Sequence, residues 1–94
     1  MCMKSPSSDF YYAEKSFGVV LRVFRTSAGI SQEQLALKAG LDRTYISLLE
    51  RGLRQPTINT FLGLCHVMEV SPIIFMEALQ IEISSTKPKQ QLEK

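Results

Sequence analysis

Glycine and proline residues divide the middle of this chain into short segments, and this division limits the folds open to it. The dividing residues are Gly29, Gly40, Gly52, Pro56 and the Ser71-Pro72 pair. The segments between them are roughly 8 to 14 residues long, which is the length of typical globular helices. The chain has no Asn-Gly or Asp-Gly hairpin signal and no sustained alternation of apolar and polar residues, so strands are not expected. The sequence therefore predicts an all-α domain of five helices.

Apolar residues at helical spacing predict the first helix, from about Tyr12 to Ala28, before Gly29 ends it. Its inward positions are Phe17, Leu21, Phe24 and Ala28. The inward positions of the next three helices are Leu35, Ala36 and Ala39 on the second, either Tyr45 or Ile46 together with Leu49 on the third, with Glu50 as a further candidate there, and Phe61, Leu64, Cys65 and Met68 on the fourth. These stripes predict one shared core.

Capping residues mark the starts of the other four helices. The expected N-caps are Ser31, Asp42, Thr57 and Ser71. Gln34 follows Ser31 by three residues and completes a capping box. Pro72 suits the first position of the fifth helix, which we expect to run to about Gln80.

The length of 94 residues fits one compact domain, and 45% apolar and 21% charged residues are the fractions of an ordinary folded protein. We expect a domain over residues 12–83, between a flexible N-terminal segment (1–11) and a flexible C-terminal tail (84–94).

The sequence shows neither a targeting signal nor a cysteine pattern of functional type. The N-terminus lacks an apolar signal core, and Cys2 and Cys65 form no metal-ligand pattern with the single His66. We read Cys65 as a small buried apolar residue. These features predict a reduced, cytoplasmic protein with no metal site.

The net charge of +2 conceals two blocks of opposite sign. Residues 17–56 hold six basic and three acidic side chains, a net charge of +3. Residues 57–83 hold three Glu and neither Lys nor Arg, a net charge of −3. We therefore expect two faces with different partners.

The segment from Ser31 to Gly52 contains two short capped helices joined by a tight turn, which is the plan of a helix-turn-helix. Once Ile46 and Leu49 turn inward, the second of these helices presents polar side chains that can enter a DNA major groove. The outward residues are Arg43, Thr44, Ser47 and Leu48. Candidates for positioning the DNA backbone around them are Gln32, Tyr45, Arg51 and Arg54.

This segment closely resembles the helix-turn-helix of Cro/CI-type (XRE-family) regulators, and in places the controller proteins of restriction–modification systems. The resemblance is carried by Ser31-Gln32-Glu33-Gln34-Leu35-Ala36, Ala39-Gly40-Leu41-Asp42-Arg43-Thr44-Tyr45-Ile46-Ser47 and Leu49-Glu50-Arg51-Gly52. It covers roughly residues 17–79 and implies a compact, lambda-repressor-like five-helix fold.

The resemblance also implies roles for individual residues. In the family, the positions of Gln32, Arg43, Thr44, Tyr45, Ser47, Leu48 and Arg54 face DNA. Leu48 departs from the family, which has a polar base-reading residue there. The family pairs an Arg late in the first helix with a Glu late in the third, and Arg25 and Glu50 hold those positions. We expect this structural ion pair to remove Arg25 from the DNA contacts.

Residue chemistry alone leaves more than one role open for several of the candidate residues. Arg43 suits direct base reading, with a phosphate contact or a solvated surface as alternatives. Tyr45 is divided between a phosphate contact through its hydroxyl and packing on the core. Thr44 and Ser47 are expected at the DNA surface, while Arg51 is equally an ordinary solvated cation. The aromatic cluster Phe10-Tyr11-Tyr12 is expected to cover the core or a dimer partner.

Residues 58–83 carry more apolar side chains than one face of a helix can bury inside the domain. We expect the surplus to form a self-complementary dimer surface, with another protein as the alternative partner. The predicted dimer residues are Leu62, Val67, Ile74 and Phe75.

Together these features predict a homodimeric, sequence-specific transcriptional regulator that binds double-stranded DNA at an inverted repeat, with residues 42–51 in the major groove. A protein-interaction or antitoxin-like module with secondary DNA binding is the alternative. No Ser/His/Asp or Cys/His set and no phosphate-binding Gly loop occur, so an enzyme is not expected. Nothing in the sequence indicates a cofactor, a small-molecule ligand or a membrane.

Overall fold

The computed structural model describes residues 13–86, so the aromatic cluster Phe10-Tyr11-Tyr12 lies outside the described residues. Within this range the chain forms five α-helices and no strand, as the sequence predicts. The helices are α1 (Ala13–Ser27), α2 (Gln32–Ala39), α3 (Arg43–Glu50), α4 (Ile58–Met68) and α5 (Pro72–Thr86).

Three of the predicted N-caps make their capping hydrogen bonds. Ser31 Oγ accepts from the Gln34 backbone N–H at 3.0 Å, and Gln34 Oε1 accepts from the Ser31 N–H at 2.8 Å, which completes the capping box. Thr57 Oγ1 accepts from the backbone N–H of the third residue after it at 3.1 Å. Ser71 Oγ accepts from a backbone N–H of the first turn of α5 at 3.2 Å. Because each bond joins residues two or three apart, local sequence suffices to predict them.

The N-cap of α3 differs from the other three. Asp42 holds the N-cap position with extended backbone (φ −81°, ψ 143°), but among the described residues its side chain makes no capping hydrogen bond. The position was predicted correctly and the bond was not. The negative charge still lies at the positive end of the helix dipole.

The last helix is longer than the sequence predicted. α5 continues to Thr86, six residues past the expected end at Gln80, so residues 84–86 are helical rather than part of the predicted tail. Residues 87–94 lie outside the described residues. No Gly or Pro stands between Pro72 and Pro88, so nothing in the chain ends the helix earlier.

The core lies where α1 meets the other helices. α1 packs against α3 and α5, and α2 packs against α3 and α4. The buried apolar residues are Phe17, Val20, Leu21, Leu35, Ala36, Ile46, Leu49, Phe61, Leu64, Cys65, Met68 and Phe75. The predicted inward stripes are therefore confirmed, except that Ala28 is exposed beyond the end of α1.

Phe75 corrects the predicted dimer surface. Its side chain is fully buried, and its ring centroid lies 5.2 Å from that of Phe17, 5.4 Å from Phe24 and 5.0 Å from Phe61. The prediction was wrong because α5 turns this residue onto α1 and α4. Phe75 thus joins three helices within one subunit and is inaccessible to a partner.

Among residues 13–86 no single helix is long and apolar enough to cross a membrane. α4 and α5 together would meet the length and composition requirement, but they are bent by 107° at the break between them.

Candidate nucleic-acid interface

The turn between α2 and α3 sets how the second helix is presented. Gly40 adopts the left-handed conformation (φ 71°, ψ 33°), which a residue with a side chain rarely adopts. The next residue, Leu41, donates its backbone N–H to the Ala36 carbonyl at 2.8 Å and packs its partly buried side chain against the core. The chain therefore leaves α2 sharply and enters α3 with its direction fixed by an apolar anchor.

α3 has one buried and one outward side. Ile46 and Leu49 are fully buried. On the other side, Arg43 and Thr44 are exposed, and Ser47 and Leu48 are half-buried. We call these four residues, Arg43, Thr44, Ser47 and Leu48, the reading face. It offers a guanidinium and two hydroxyl groups, which are the donors and acceptors that base edges and phosphates bind.

The predicted ion pair fastens the far end of α3 to α1. Arg25 Nε donates to Glu50 Oε2 at 2.5 Å and Arg25 Nη2 donates to Glu50 Oε1 at 3.1 Å, so the pair is bidentate. The two side chains are only 10% and 3% exposed. Arg25 Nη1 donates to the Ile30 carbonyl at 2.9 Å, which also ties in the loop before α2. Because both charges are buried and paired, neither adds to the charge of the surface.

Gln32 joins this network, a contact that the sequence reading missed. Its Nε2 donates to Glu50 Oε1 at 2.9 Å. The bond spans 18 positions and depends on how α2 packs against α3, so no local pattern indicates it. An amide nitrogen carries two hydrogens, so the bond to Glu50 leaves one donor for DNA.

Tyr45 and Arg54 lie together beside the reading face. The ring of Tyr45 is half-buried and packs against the core, which favours the packing role for its ring. The guanidinium carbon of the exposed Arg54 lies 5.7 Å from the ring centroid, within the range of a cation–π contact. Arg51 is exposed at the end of α3. Arg51 and Arg54 therefore place two solvent-accessible cations next to the C-terminal end of α3.

Gly18 is a second feature missed by the sequence reading. A Cβ at this position would lie 2.4 Å from the Glu50 carbonyl oxygen and 2.6 Å from that of Leu49. α1 and α3 can approach this closely only because Gly18 has no side chain. A glycine inside a predicted helix was the available signal, since such a residue costs about 1 kcal/mol relative to Ala unless packing requires it.

The remaining predicted dimer residues do not share one face. Leu62 and Ile74 are 45% and 48% exposed. Leu62 lies in the middle of α4 and shares a surface pocket with residues of the α4–α5 turn, and Ile74 lies in the first turn of α5. Val67 is half-buried and packs against the core. It follows Leu62 by five residues, so the two point about 140° apart on the helix. The structure therefore reduces the candidate dimer surface to Leu62 and Ile74.

The buried cysteine is unsuited to nucleophilic chemistry. Burial raises the pKa of the Cys65 thiol to about 11, so the thiol stays protonated at neutral pH. The neighbouring His66 is exposed while Cys65 is buried. Cys65 serves as an apolar core residue, as predicted.

Comparison with known proteins agrees with this geometry. The helix-turn-helix family HTH_3 matches residues 21–75. The control protein C.BamHI of Bacillus amyloliquefaciens is 39% identical over 57 residues, which are 60% of this chain and 70% of that protein. An uncharacterized HTH-type transcriptional regulator of Mycobacterium tuberculosis is 33% identical over 70 residues, 73% of this chain, and the match spans half of that relative's length.

A solved structure gives the same fold. The wild-type restriction-modification controller protein C.Esp1396I has a TM-score of 0.73 and 38% sequence identity, covering 79% of this chain and 96% of its own. The same protein was solved as a tetramer in complex with its natural 35 base-pair operator, where the TM-score is 0.71 and the identity 39% over 77% of this chain and 95% of that one. The chain therefore belongs to the XRE-type helix-turn-helix family of transcriptional regulators and is similar to restriction–modification controller proteins.

Proposed function

We propose that this protein is a homodimer that binds an inverted-repeat operator in double-stranded DNA and regulates transcription by occupying it. The observation that carries the proposal is the outward side of α3, where Arg43, Thr44 and Ser47 stand clear of the core. In this assignment the N-terminal half of α3 enters the major groove, as the second helix of a helix-turn-helix does.

Each polar residue of the interface has a role that suits its chemistry. Arg43 pairs with the O6 and N7 atoms of a guanine, a contact worth about 1–3 kcal/mol of discrimination. Thr44 and Ser47 bond base edges or nearby phosphates. Arg51 and Arg54, which both lie next to the C-terminal end of α3, bind phosphates there and position the helix.

Gln32 and Tyr45 complete the backbone contacts in this assignment. Gln32 lies at the first position of α2, where a helix N-terminus suits a phosphate, and Glu50 orients its amide. Tyr45 packs its ring against the core and directs its hydroxyl to a phosphate at the rim. Arg25 is excluded from DNA because all three of its side-chain nitrogens bond within the protein.

The homodimer explains the apolar half of the molecule. Residues 57–83 carry no Lys or Arg, and Leu62 and Ile74 remain exposed there. A two-fold axis through this region would place two copies of α3 about one DNA turn apart, roughly 34 Å, and match an inverted repeat. C.Esp1396I, which binds its operator as a tetramer, supports an assembly of copies on DNA.

The test is selection of bound duplexes from a random DNA pool, followed by binding measurements across a salt series. We expect an inverted repeat to be selected. Arg43→Ala should weaken binding to it by about 1–3 kcal/mol and lower discrimination at one base pair in each half-site. Arg22→Ala is the matched control, because it removes the same charge from an exposed position on α1.

The opposite results would favour the protein-interaction module. Weak binding with no sequence preference and a steep loss of affinity with salt would contradict the regulator. Equal effects of Arg43→Ala and Arg22→Ala would show that only net charge matters, and would remove Arg43 from base reading.

A further inference from the structure

Leu48 is an apolar side chain on the outward side of α3, next to polar residues of that helix. Successive residues of an α-helix are about 100° apart, so Leu48 lies about 40° from Thr44 and about 160° from the buried Ile46. It is half-buried, and it belongs neither to the core nor to the apolar side chains packed against the core. Among residues 13–86, Leu48 therefore stands outside the apolar cluster that holds the helices together.

The neighbours of Leu48 indicate what can cover it. Thr44 lies one turn earlier on the same side of α3, with Cβ atoms about 5–6 Å apart at this spacing. Arg43 and Ser47 share the outward side. A second protein surface at this place would have to cover the exposed Thr44 hydroxyl as well, whereas a DNA groove provides acceptors for that group and apolar contact for the leucine.

The major groove presents one apolar group on its base edges. That group is the methyl group on C5 of thymine, which 5-methylcytosine also carries. A leucine cannot bond to a phosphate or to a base nitrogen or oxygen. The chemistry at the position of Leu48 therefore matches the methyl group of a 5-methylpyrimidine better than the hydrogen-bonding groups of the groove.

We propose that Leu48 is a specificity-determining residue that packs against the C5-methyl group of one pyrimidine in each half-site. The inference rests on the proposed function and goes further, since it assigns the chemical feature that the apolar position of α3 recognises. Arg43 reads by hydrogen bonding, while Leu48 reads a methyl group by burial.

The experiment uses the operator selected from the random pool and the full chain. Each thymine is replaced in turn by deoxyuracil, which removes only the methyl group. We expect one position in each half-site to lower the affinity of the wild-type protein by about fourfold, the effect of exposing one methyl-sized apolar group. That penalty should disappear in Leu48→Ala and persist in Leu48→Met, which keeps an apolar side chain of similar volume.

Two controls separate this contact from a general loss of binding. Leu37→Ala removes a leucine that is 80% exposed on α2 and should leave the deoxyuracil penalty unchanged. Arg43→Ala should weaken binding to every operator and keep the penalty. In a further arm the sensitive T·A pair becomes C·G with or without a C5-methyl group. Recovery with 5-methylcytosine identifies any 5-methylpyrimidine as the ligand, and no recovery restricts it to thymine.

The inference is wrong if no deoxyuracil position lowers affinity, or if the sensitive position is equally sensitive in Leu48→Ala. A change in subunit association on Leu48→Ala, with the penalty intact, would place the leucine in a protein contact instead. These outcomes differ from failure of the proposed function, in which no duplex is selected from the pool and both proposals are lost.

Discussion

The two halves of this small domain share one core but present opposite surfaces. Residues 17–56 carry a net charge of +3, and residues 57–83 carry −3 with no Lys or Arg. In the first half, the buried pair Arg25–Glu50 holds the helices together and the exposed cations remain at the surface. In the second half, helix surfaces that would ordinarily be polar expose Leu62 and Ile74.

In the proposed function, exposed charge in one half and apolar surface in the other carry different tasks. Coulomb attraction to phosphates acts on exposed cations and weakens with salt, so it suits a surface that meets DNA. Apolar burial is insensitive to charge and suits a surface that meets a second copy. The comparison predicts that changes in one half affect one property and leave the other intact.

The largest expected effect comes from breaking the ion pair in the basic half. Glu50→Ala leaves Arg25 buried without its carboxylate and removes the acceptor of Gln32. We expect the free energy of unfolding to fall by about 3–5 kcal/mol, measured by urea denaturation. Glu33→Ala, which removes an exposed carboxylate from the first turn of α2, should change it by about 1 kcal/mol at most.

A double-substitution cycle sharpens this result. Removing both Arg25 and Glu50 should cost clearly less than the sum of the two single losses, because no unpaired charge is left. Additive losses would contradict a direct interaction between the two residues.

The next largest effect is expected at Gly18, and it is tested by comparing two helical glycines, one in each half. In Gly18→Ala the new Cβ meets backbone carbonyls of α3 at 2.4 and 2.6 Å, so α1 and α3 must move apart. We expect a loss of about 1–3 kcal/mol in thermal or urea unfolding. In Gly63→Ala no neighbouring atom of residues 13–86 lies within 4 Å of the new Cβ, so the higher helix propensity of Ala should stabilise α4 by about 0.5–1 kcal/mol.

Equal effects at the two glycines would show that α1 and α3 do not rely on the missing side chain at Gly18. A lower stability in Gly18→Ala together with a higher stability in Gly63→Ala would locate the tight helix contact in the basic half.

The smallest effect tests the apolar half. Ile74→Asp places a charge on the exposed apolar surface and should raise the dimer dissociation constant by roughly tenfold, as measured by sedimentation over a concentration series. Leu37→Asp makes the same kind of change on α2 and should leave association unchanged. A monomer in the unaltered protein, or equal effects of the two changes, would remove the dimer surface from α4 and α5.

Local features of this fold were predictable and long-range ones were not. The capping box of Ser31 and Gln34 follows from residues three apart, and Gly40 signals its own left-handed turn. Phe75 gave a misleading signal, because an apolar residue in an apolar helix can face either the core or a partner. The end of α5 was misplaced for a similar reason, since polar residues near its C-terminus do not stop a helix that lacks a Gly or Pro.

In the candidate site, too, local features were predictable and long-range contacts were not. The outward position of Arg43 and Thr44 follows from the burial of Ile46 and Leu49 on the same short helix. The ion pair was predicted through a resemblance to a family, not through spacing. The bond of Gln32 to Glu50 came from neither source, because it depends on how α2 packs against α3.

The amino-acid sequence alone determined the positions of the helix starts and their N-cap residues, the helix-turn-helix and the separation of charge, because each depends on neighbours within a few positions. Tertiary structure decided which apolar residues form the core and which remain exposed, and it assigned Phe75 to the first group and Ile74 to the second. It also decided that Gly18 sets the distance between α1 and α3 and that Gln32 is held by Glu50. These features rest on contacts between residues 18 to 58 positions apart, and only the packing of whole helices brings such residues together.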